Sequence, residues 1–128
     1  MPNYDFFQNR QCEYFPCHKV GDENTFSCLF CYCPLYALGD QCGGNFTYTE
    51  HGIKDCSNCL VPHKRENYGR IVERYGEIAE LIKKYKIFCI SDEPYEKLVY
   101  DGFEQKSLAG VADGLEDYVI TINSLSKT

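Results

Sequence analysis

The sequence has no apolar run that approaches the roughly 18 residues needed to span a membrane. Its first ten residues lack the apolar core and the small-residue cleavage site of a secretory signal, so we expect a cytoplasmic protein. Basic residues are scarce as well: 13 Lys and Arg stand against 19 Asp and Glu, and the formal net charge is −6. Because phosphate contacts need clustered Lys and Arg, we expect neither membrane nor nucleic acid as a partner.

Cysteine is scarce in the second half of the chain, where Cys89 is the only one, although the whole sequence contains nine. The other eight lie between Cys12 and Cys59, so the composition changes abruptly. A segment this small buries little apolar surface and usually depends on disulfides or metals for its fold. Thiols stay reduced in the cytoplasm, and nine is an odd number for a closed set of disulfides. We therefore predict that the cysteine-rich segment binds metal.

Two Cys-x-x-Cys pairs, Cys28–Cys31 and Cys56–Cys59, carry the most specific metal-binding signal. This spacing lets a tight turn present two sulfurs to one ion, and a structural zinc ion takes four such ligands. We assign these two pairs to one zinc ion, and we assign a second zinc ion to the other cysteines and two histidines. The full set of predicted ligands is Cys12, Cys17, His18, Cys28, Cys31, Cys33, Cys42, Cys56, Cys59 and His63. His51 lies in a polar stretch and is predicted to be a surface residue.

Three alternatives to this assignment remain open. A single cysteine can be a buried apolar thiol instead of a ligand. His18 and His63 are equally well explained as bystanders. Thiolate sets also hold iron–sulfur clusters. The cluster motif of radical enzymes needs spacings of three residues and then two, which Cys28-x2-Cys31-x-Cys33 lacks, so zinc is the favoured metal.

Residues 68–86 show a different pattern from the cysteine-rich segment. Apolar side chains recur there at intervals of four, three, four and three residues, which predicts one face of a helix. Gly76 lies inside this pattern and costs about 1 kcal/mol relative to alanine, so we expect a kink or seam there. The residues of the apolar face are Ile71, Tyr75, Ile78, Ile82 and Tyr85.

Two short apolar segments in the second half predict strands. Ile87–Ile90 is a continuous apolar run typical of a buried parallel strand, and Tyr118–Ile122 is rich in β-branched residues. Tyr100–Gly102 marks a turn between them. Helix, strand, loop and strand together indicate part of an α/β sheet, which is incomplete because two such strands need neighbours on both edges.

The first half of the chain resembles the cysteine-rich small domain family of bacteria and archaea. The resemblance begins at Phe6–His18, continues through Phe26–Tyr36 and Cys42–Phe46, and closes with Lys54–Cys59 and Pro62–Tyr68. It implies a metal-binding module, found alone or attached to pyridoxal-phosphate enzymes, but it supplies no reaction.

The second half resembles class I aminotransferases of pyridoxal-phosphate fold type I, through Ile90–Gly102 and Ile122–Thr128. The resemblance implies that Lys127 forms the Schiff base and that Asp92 keeps the pyridine nitrogen protonated, as such a cofactor requires. It further implies that Tyr95 contacts the phenolic oxygen of the cofactor. Ser124 and Ser126 match residues near the phosphate and the lysine.

These resemblances divide the chain into a cysteine-rich metal-binding domain, residues 1–75, and an aminotransferase large-domain fragment, residues 76–128. The predicted fold class is a small metal-stabilised zinc-binding domain of α+β or irregular structure, followed by an incomplete α/β segment. We expect a structural or partner-binding module, with a protein or a pyridoxal-phosphate enzyme as partner. The family's glycine-rich turn, its stacking aromatic, its phosphate-binding arginine and its substrate-binding arginine have no match here, so we expect activity only if a partner chain supplies them.

Overall fold

A computed structural model of the chain describes residues 5–92 and 107–123. These residues form two compact units, residues 5–71 and the described residues from Val72 onward. Within the described parts of the chain, no helix is both long enough and apolar enough to cross a membrane.

Before Tyr68, the first unit contains short 3₁₀ helices and two strands of two residues each. Its longest helical segment, Pro34–Cys42, begins at a proline and is interrupted at Gly39, where φ is +57°. Glycine adopts this left-handed conformation without steric cost. Strands β1 (Thr47–Tyr48) and β2 (Lys54–Asp55) pair antiparallel. The other 3₁₀ helices are Glu23–Thr25, Val61–His63 and Arg65–Asn67.

Backbone hydrogen bonds join three distant segments of the first unit. Phe26 pairs with Lys64 in an isolated antiparallel bridge, and Ser27 N–H donates to the His63 carbonyl at 2.8 Å. Cys28 N–H in turn donates to the Phe7 carbonyl at 2.6 Å. These bonds bring Cys28 close to His63, although the two residues are far apart in the sequence.

The interior of the first unit contains few large apolar side chains. Those that are fully buried are Phe26, Leu35 and Ile71. Cys42, Cys59 and His63 are also buried, so thiol and imidazole groups occupy positions that aliphatic side chains fill in larger domains.

The predicted helix over residues 68–86 is divided into α1 (Tyr68–Val72) and α2 (Tyr75–Tyr85). The break falls at residues 73–74, and Gly76 lies inside α2, so the expected seam at Gly76 is wrong by two residues. Gly76 lies in the first turn of α2, where backbone N–H groups have no partner within the helix in any case. Arg74 precedes that turn and makes a two-pronged ion pair with Glu77 at 2.8 Å.

Strands β3 (Cys89–Asp92) and β4 (Val119–Ile122) pair in parallel, with Cys89 opposite Val119. The parallel pairing confirms the prediction, but the predicted burial is wrong. Ile87, Phe88 and Ile90 are all more than half exposed. An apolar run is buried only if other elements cover it, and this condition cannot be read from the run itself. The predicted turn at residues 100–102 is outside the described residues.

Candidate metal centre

The first cysteine group consists of Cys12, Cys17, Cys28 and Cys31, in which neighbouring thiols raise the pKa of Cys17 and Cys31. Burial raises the pKa of Cys31, and the neighbouring thiols of Cys28 and Cys12 raise it further. Burial also raises the pKa of Cys17, with added effects from Cys31, Cys28 and Cys12. Cys12, Cys17 and Cys31 are exposed and Cys28 is partly buried, so this group lies near the surface.

The second cysteine group contains the other four thiols of the first unit. Burial raises the pKa of Cys33, and Cys59 and Cys56 add to this rise. The pKa of Cys56 is raised by burial, lowered in part by Lys54, and raised again by Cys59 and Cys42. The members of this group are Cys33, Cys42, Cys56 and Cys59, of which Cys42 and Cys59 are buried.

This grouping differs from the partition inferred from the sequence, which assigned both Cys-x-x-Cys pairs to one ion. The thiol of Cys28 raises the pKa of Cys31, and the thiol of Cys59 raises the pKa of Cys56, so each Cys-x-x-Cys pair falls in a different group. Cys33 belongs to the second group through the effects of Cys59 and Cys56 on its pKa, although Cys31 is closer in sequence.

Polar hydrogens lie close to two sulfurs of the second group, those of Cys42 and Cys59. The backbone N–H of Gly44 donates to Cys42 Sγ and that of Asn45 donates to Cys59 Sγ, both at 3.4 Å. Lys54 Nζ lies 3.2 Å from Cys42 Sγ and 2.6 Å from the Gly39 carbonyl oxygen. N–H and ammonium groups close to sulfur can offset part of the negative charge of a metal-bound thiolate.

Lys54 and Gly44 are two supporting residues that the sequence-based ligand set did not include. Lys54 also lies 4.4 Å from the centre of the Phe46 ring, so the aromatic face helps to hold the ammonium in place. At Gly44 an added Cβ would lie 2.9 Å from Cys59 Sγ and 3.6 Å from Cys42 Sγ. Glycine is therefore the residue that fits between the two sulfurs. The Cys42-Gly43-Gly44 run is a sequence signal for this close approach.

A third cluster consists of Cys17, which also belongs to the first group, and the histidines His18 and His63. Cys17 Sγ lies 3.1 Å from His18 Nδ1 and 4.0 Å from His63 Nε2. The three atoms lie within 4.8 Å of one another, a separation suited to one metal ion. Burial lowers the pKa of His63, and His18 contributes to the same effect, so the neutral imidazole is favoured. His51 is exposed as predicted, with Glu50 as its neighbour at 3.4 Å.

A cavity of about 550 Å³ adjoins these clusters. Its wall includes both histidines, and it includes Cys31 of the first group. All four cysteines of the second group line it too, together with aromatic side chains such as Tyr36 and Phe46. The cavity is therefore apolar over much of its wall and rich in metal-ligating atoms.

The structure describes one of the five residues that the aminotransferase resemblance implies. Asp92 is the last residue of β3, at the carboxyl end of the parallel pair, and it is exposed. Ligands of parallel sheets commonly bind at that end. The predicted positions outside the described residues are Tyr95, Ser124, Ser126 and Lys127.

Comparison with known proteins separates the same two parts of the chain. Residues 3–86 match the family described as cysteine-rich small domain, and residues 72–128 match the family described as aminotransferase class I and II. An uncharacterized protein of Methanocaldococcus jannaschii is 38% identical over 60 residues, which cover 45% of this chain and 47% of that protein. No solved structure matches.

The aminotransferase relatives match only part of their own length. An aspartate aminotransferase of Bacillus sp. is 38% identical over 82 residues, which cover 62% of this chain and 21% of the enzyme. An aromatic-amino-acid aminotransferase of Thermococcus litoralis is 42% identical over 52 residues, which cover 41% of this chain and 13% of the enzyme. The chain thus carries an aminotransferase fragment at its carboxyl-terminal side. The first family matches well over half of the chain, and the chain belongs to the cysteine-rich small domain family.

Proposed function

We propose that residues 5–71 form a zinc-binding module that holds two zinc ions, one in each cysteine group. The observation that supports the proposal is that mutual effects on thiol pKa link the eight cysteines in two sets of four, because structural zinc is bound by four ligands. Bound metal would supply folding free energy that the few large buried side chains cannot.

The donor atoms of both groups fit zinc. Thiolates are soft ligands that favour zinc over the hard cations calcium and magnesium. The N–H groups of Gly44 and Asn45 and the ammonium of Lys54 would offset part of the negative charge that four thiolates bring to one ion. A cytoplasmic location, in which thiols stay reduced, is part of the proposal.

The test is the metal content of protein purified without added metal, measured by elemental mass spectrometry. We expect at least two zinc ions per chain. The variant Cys59→Ser removes a buried ligand of the second group and should lose one ion, whereas Cys89→Ser alters a cysteine outside both groups and should lose none. Iron in place of zinc would favour an iron–sulfur protein, and a chain without metal would refute the proposal.

The module's role is proposed to be structural or partner-binding, with a protein as the partner. Its acidic charge and the family of its second half favour a pyridoxal-phosphate enzyme over nucleic acid. Co-purification with the partner from cells, lost after zinc removal and regained on zinc addition, would support this role. Equal co-purification with and without zinc would count against it.

A second candidate function is amino-acid transamination with pyridoxal phosphate, in a complete enzyme context. Asp92 favours it, since its place at the carboxyl end of a parallel strand suits an acid beside a bound ring. The cofactor would supply an electron sink, and Lys127 would hold it covalently. The expected sign is a Schiff-base absorbance band that disappears in Lys127→Ala. If no band forms even with the missing segments supplied by another chain, this candidate is wrong.

A further inference from the structure

The hydrogen bond of His63 determines which of its ring nitrogens is free. His63 Nδ1 lies 2.9 Å from the Ser27 carbonyl oxygen. A carbonyl oxygen only accepts hydrogen bonds, so Nδ1 carries the proton and donates it. In a neutral imidazole the other nitrogen, Nε2, then has a free lone pair, and this atom is the one that faces Cys17 Sγ.

His18 is arranged in the same way with its nitrogens exchanged. Its Nε2 lies 3.3 Å from the Cys56 carbonyl oxygen and donates to it, which leaves a lone pair on Nδ1. Nδ1 faces Cys17 Sγ at 3.1 Å. The ring centres of His18 and His63 are 4.4 Å apart, and two imidazolium cations at that distance would repel each other.

Three electron-pair donors thus converge on one point: the sulfur of Cys17, Nδ1 of His18 and Nε2 of His63. Metal-binding histidines commonly donate their second N–H to a backbone carbonyl, which holds the ring in orientation. Both rings have that support here, from Ser27 and Cys56. A histidine that only packed in the core would need no such convergence.

We propose that Cys17, His18 and His63 bind a third divalent transition-metal ion, with a fourth coordination position open to the cavity. The proposal rests on the two-zinc module, because Cys17 also belongs to the first cysteine group and its sulfur would bridge the two ions. Two imidazoles and a thiolate suit zinc or cobalt. Three protein ligands and one open position are typical of metal sites that bind an exchangeable ligand.

The open position would take a water molecule or a small anionic donor. Both histidines line the cavity of about 550 Å³, so a ligand on the metal would point into a space with apolar and aromatic walls. Such a wall excludes competing water and strengthens the bond between the ion and an anion. This site is thus distinct in kind from the two four-cysteine sites, which have no free position.

Cobalt titration of the metal-free full chain tests the proposal, with azide as the probe of the open position. We expect three cobalt ions per chain in the wild type and two in either His18→Ala or His63→Phe. The phenylalanine preserves the stacking of His63 on Phe26, whose ring centres are 4.4 Å apart. His51→Ala, an exposed histidine outside the cluster, is the matched control and should keep three ions.

Azide should change the visible cobalt spectrum of the wild type and of the His51 variant, and leave the other two variants unchanged. Two ions in all four proteins, or a wild type indifferent to azide, would overturn the third site while leaving the two-zinc module intact. Fewer than two ions in the wild type would overturn both. These outcomes also separate a metal site from histidines that only hydrogen-bond to Cys17, since the latter would not alter the ion count.

Discussion

The two units of this chain differ in which side chains fill their interiors and in how well their apolar side chains are covered. Residues 5–71 have short 3₁₀ helices and two-residue strands, and thiol groups occupy part of their interior. The second unit has an amphipathic helix, α2, and a parallel strand pair, yet Phe88, just before β3, and Ile90, within it, are largely exposed. The first arrangement suits a module that metal stabilises by itself, whereas the second suits one that needs other elements to cover its sheet.

Removal of metal should produce the largest difference in behaviour between the two units. Structural zinc contributes about 10–16 kcal/mol in small domains, far more than the net stability of most folds. After chelation we expect residues 5–71 to lose protection from hydrogen exchange and Tyr75–Tyr85 to change much less. Hydrogen-exchange mass spectrometry with and without chelator measures both. Unchanged protection in residues 5–71 would contradict the proposed role of zinc, and added zinc should restore the loss.

Replacing Lys54 by methionine should weaken metal binding at the second cysteine group. The change removes a hydrogen bond to Cys42 Sγ, and bonds to charged groups contribute about 1.5–3 kcal/mol. Competition with a coloured chelator would measure the affinity. The exposed Lys19→Met is the matched control and should behave as the wild type. Equal affinity in both variants would mean that Lys54 has no part in the site.

Gly44→Ala should have a comparable or somewhat smaller effect on the same group. The new Cβ would lie 2.9 Å from Cys59 Sγ, and a sulfur held by a metal has little room to move. Overpacking of this kind costs about 1–3 kcal/mol. Gly21→Ala meets nothing within 4 Å and serves as the control in the same chelator competition. If the two alanine variants bind zinc equally, the close approach at Gly44 is unimportant.

The smallest effect on stability is expected for Ile90→Lys in the second unit. Ile90 is 68% exposed, and substitutions at such positions usually change the free energy of unfolding by less than about 0.5 kcal/mol. The added charge should reduce self-association, which light scattering would detect. Ile82→Lys, at a buried position of α2, is the contrasting control and should be strongly destabilising. A large loss of stability in Ile90→Lys would show that this strand is covered.

Local patterns were sufficient for several features of the fold. The apolar spacing identified the helical region, the continuous apolar run Ile87–Ile90 identified a parallel strand, and the β-branched run Tyr118–Ile122 identified a second strand. The exact helix break and the exposure of Ile90 were not predictable, because both depend on which elements pack nearby. The division of the cysteines into two groups was likewise not predictable from the sequence, since Cys31 and Cys33 are two residues apart but belong to different groups.

Composition and spacing by themselves determined that this chain has a cysteine-rich half suited to metal and an aminotransferase-like half. Those properties follow from residue types and from the short spacings between them, both of which can be taken directly from the sequence. Only the tertiary structure decided that Lys54 approaches Cys42 and that two backbone carbonyls orient His18 and His63 toward Cys17. Such contacts join segments that are distant in sequence, and their geometry is defined only when the chain is folded.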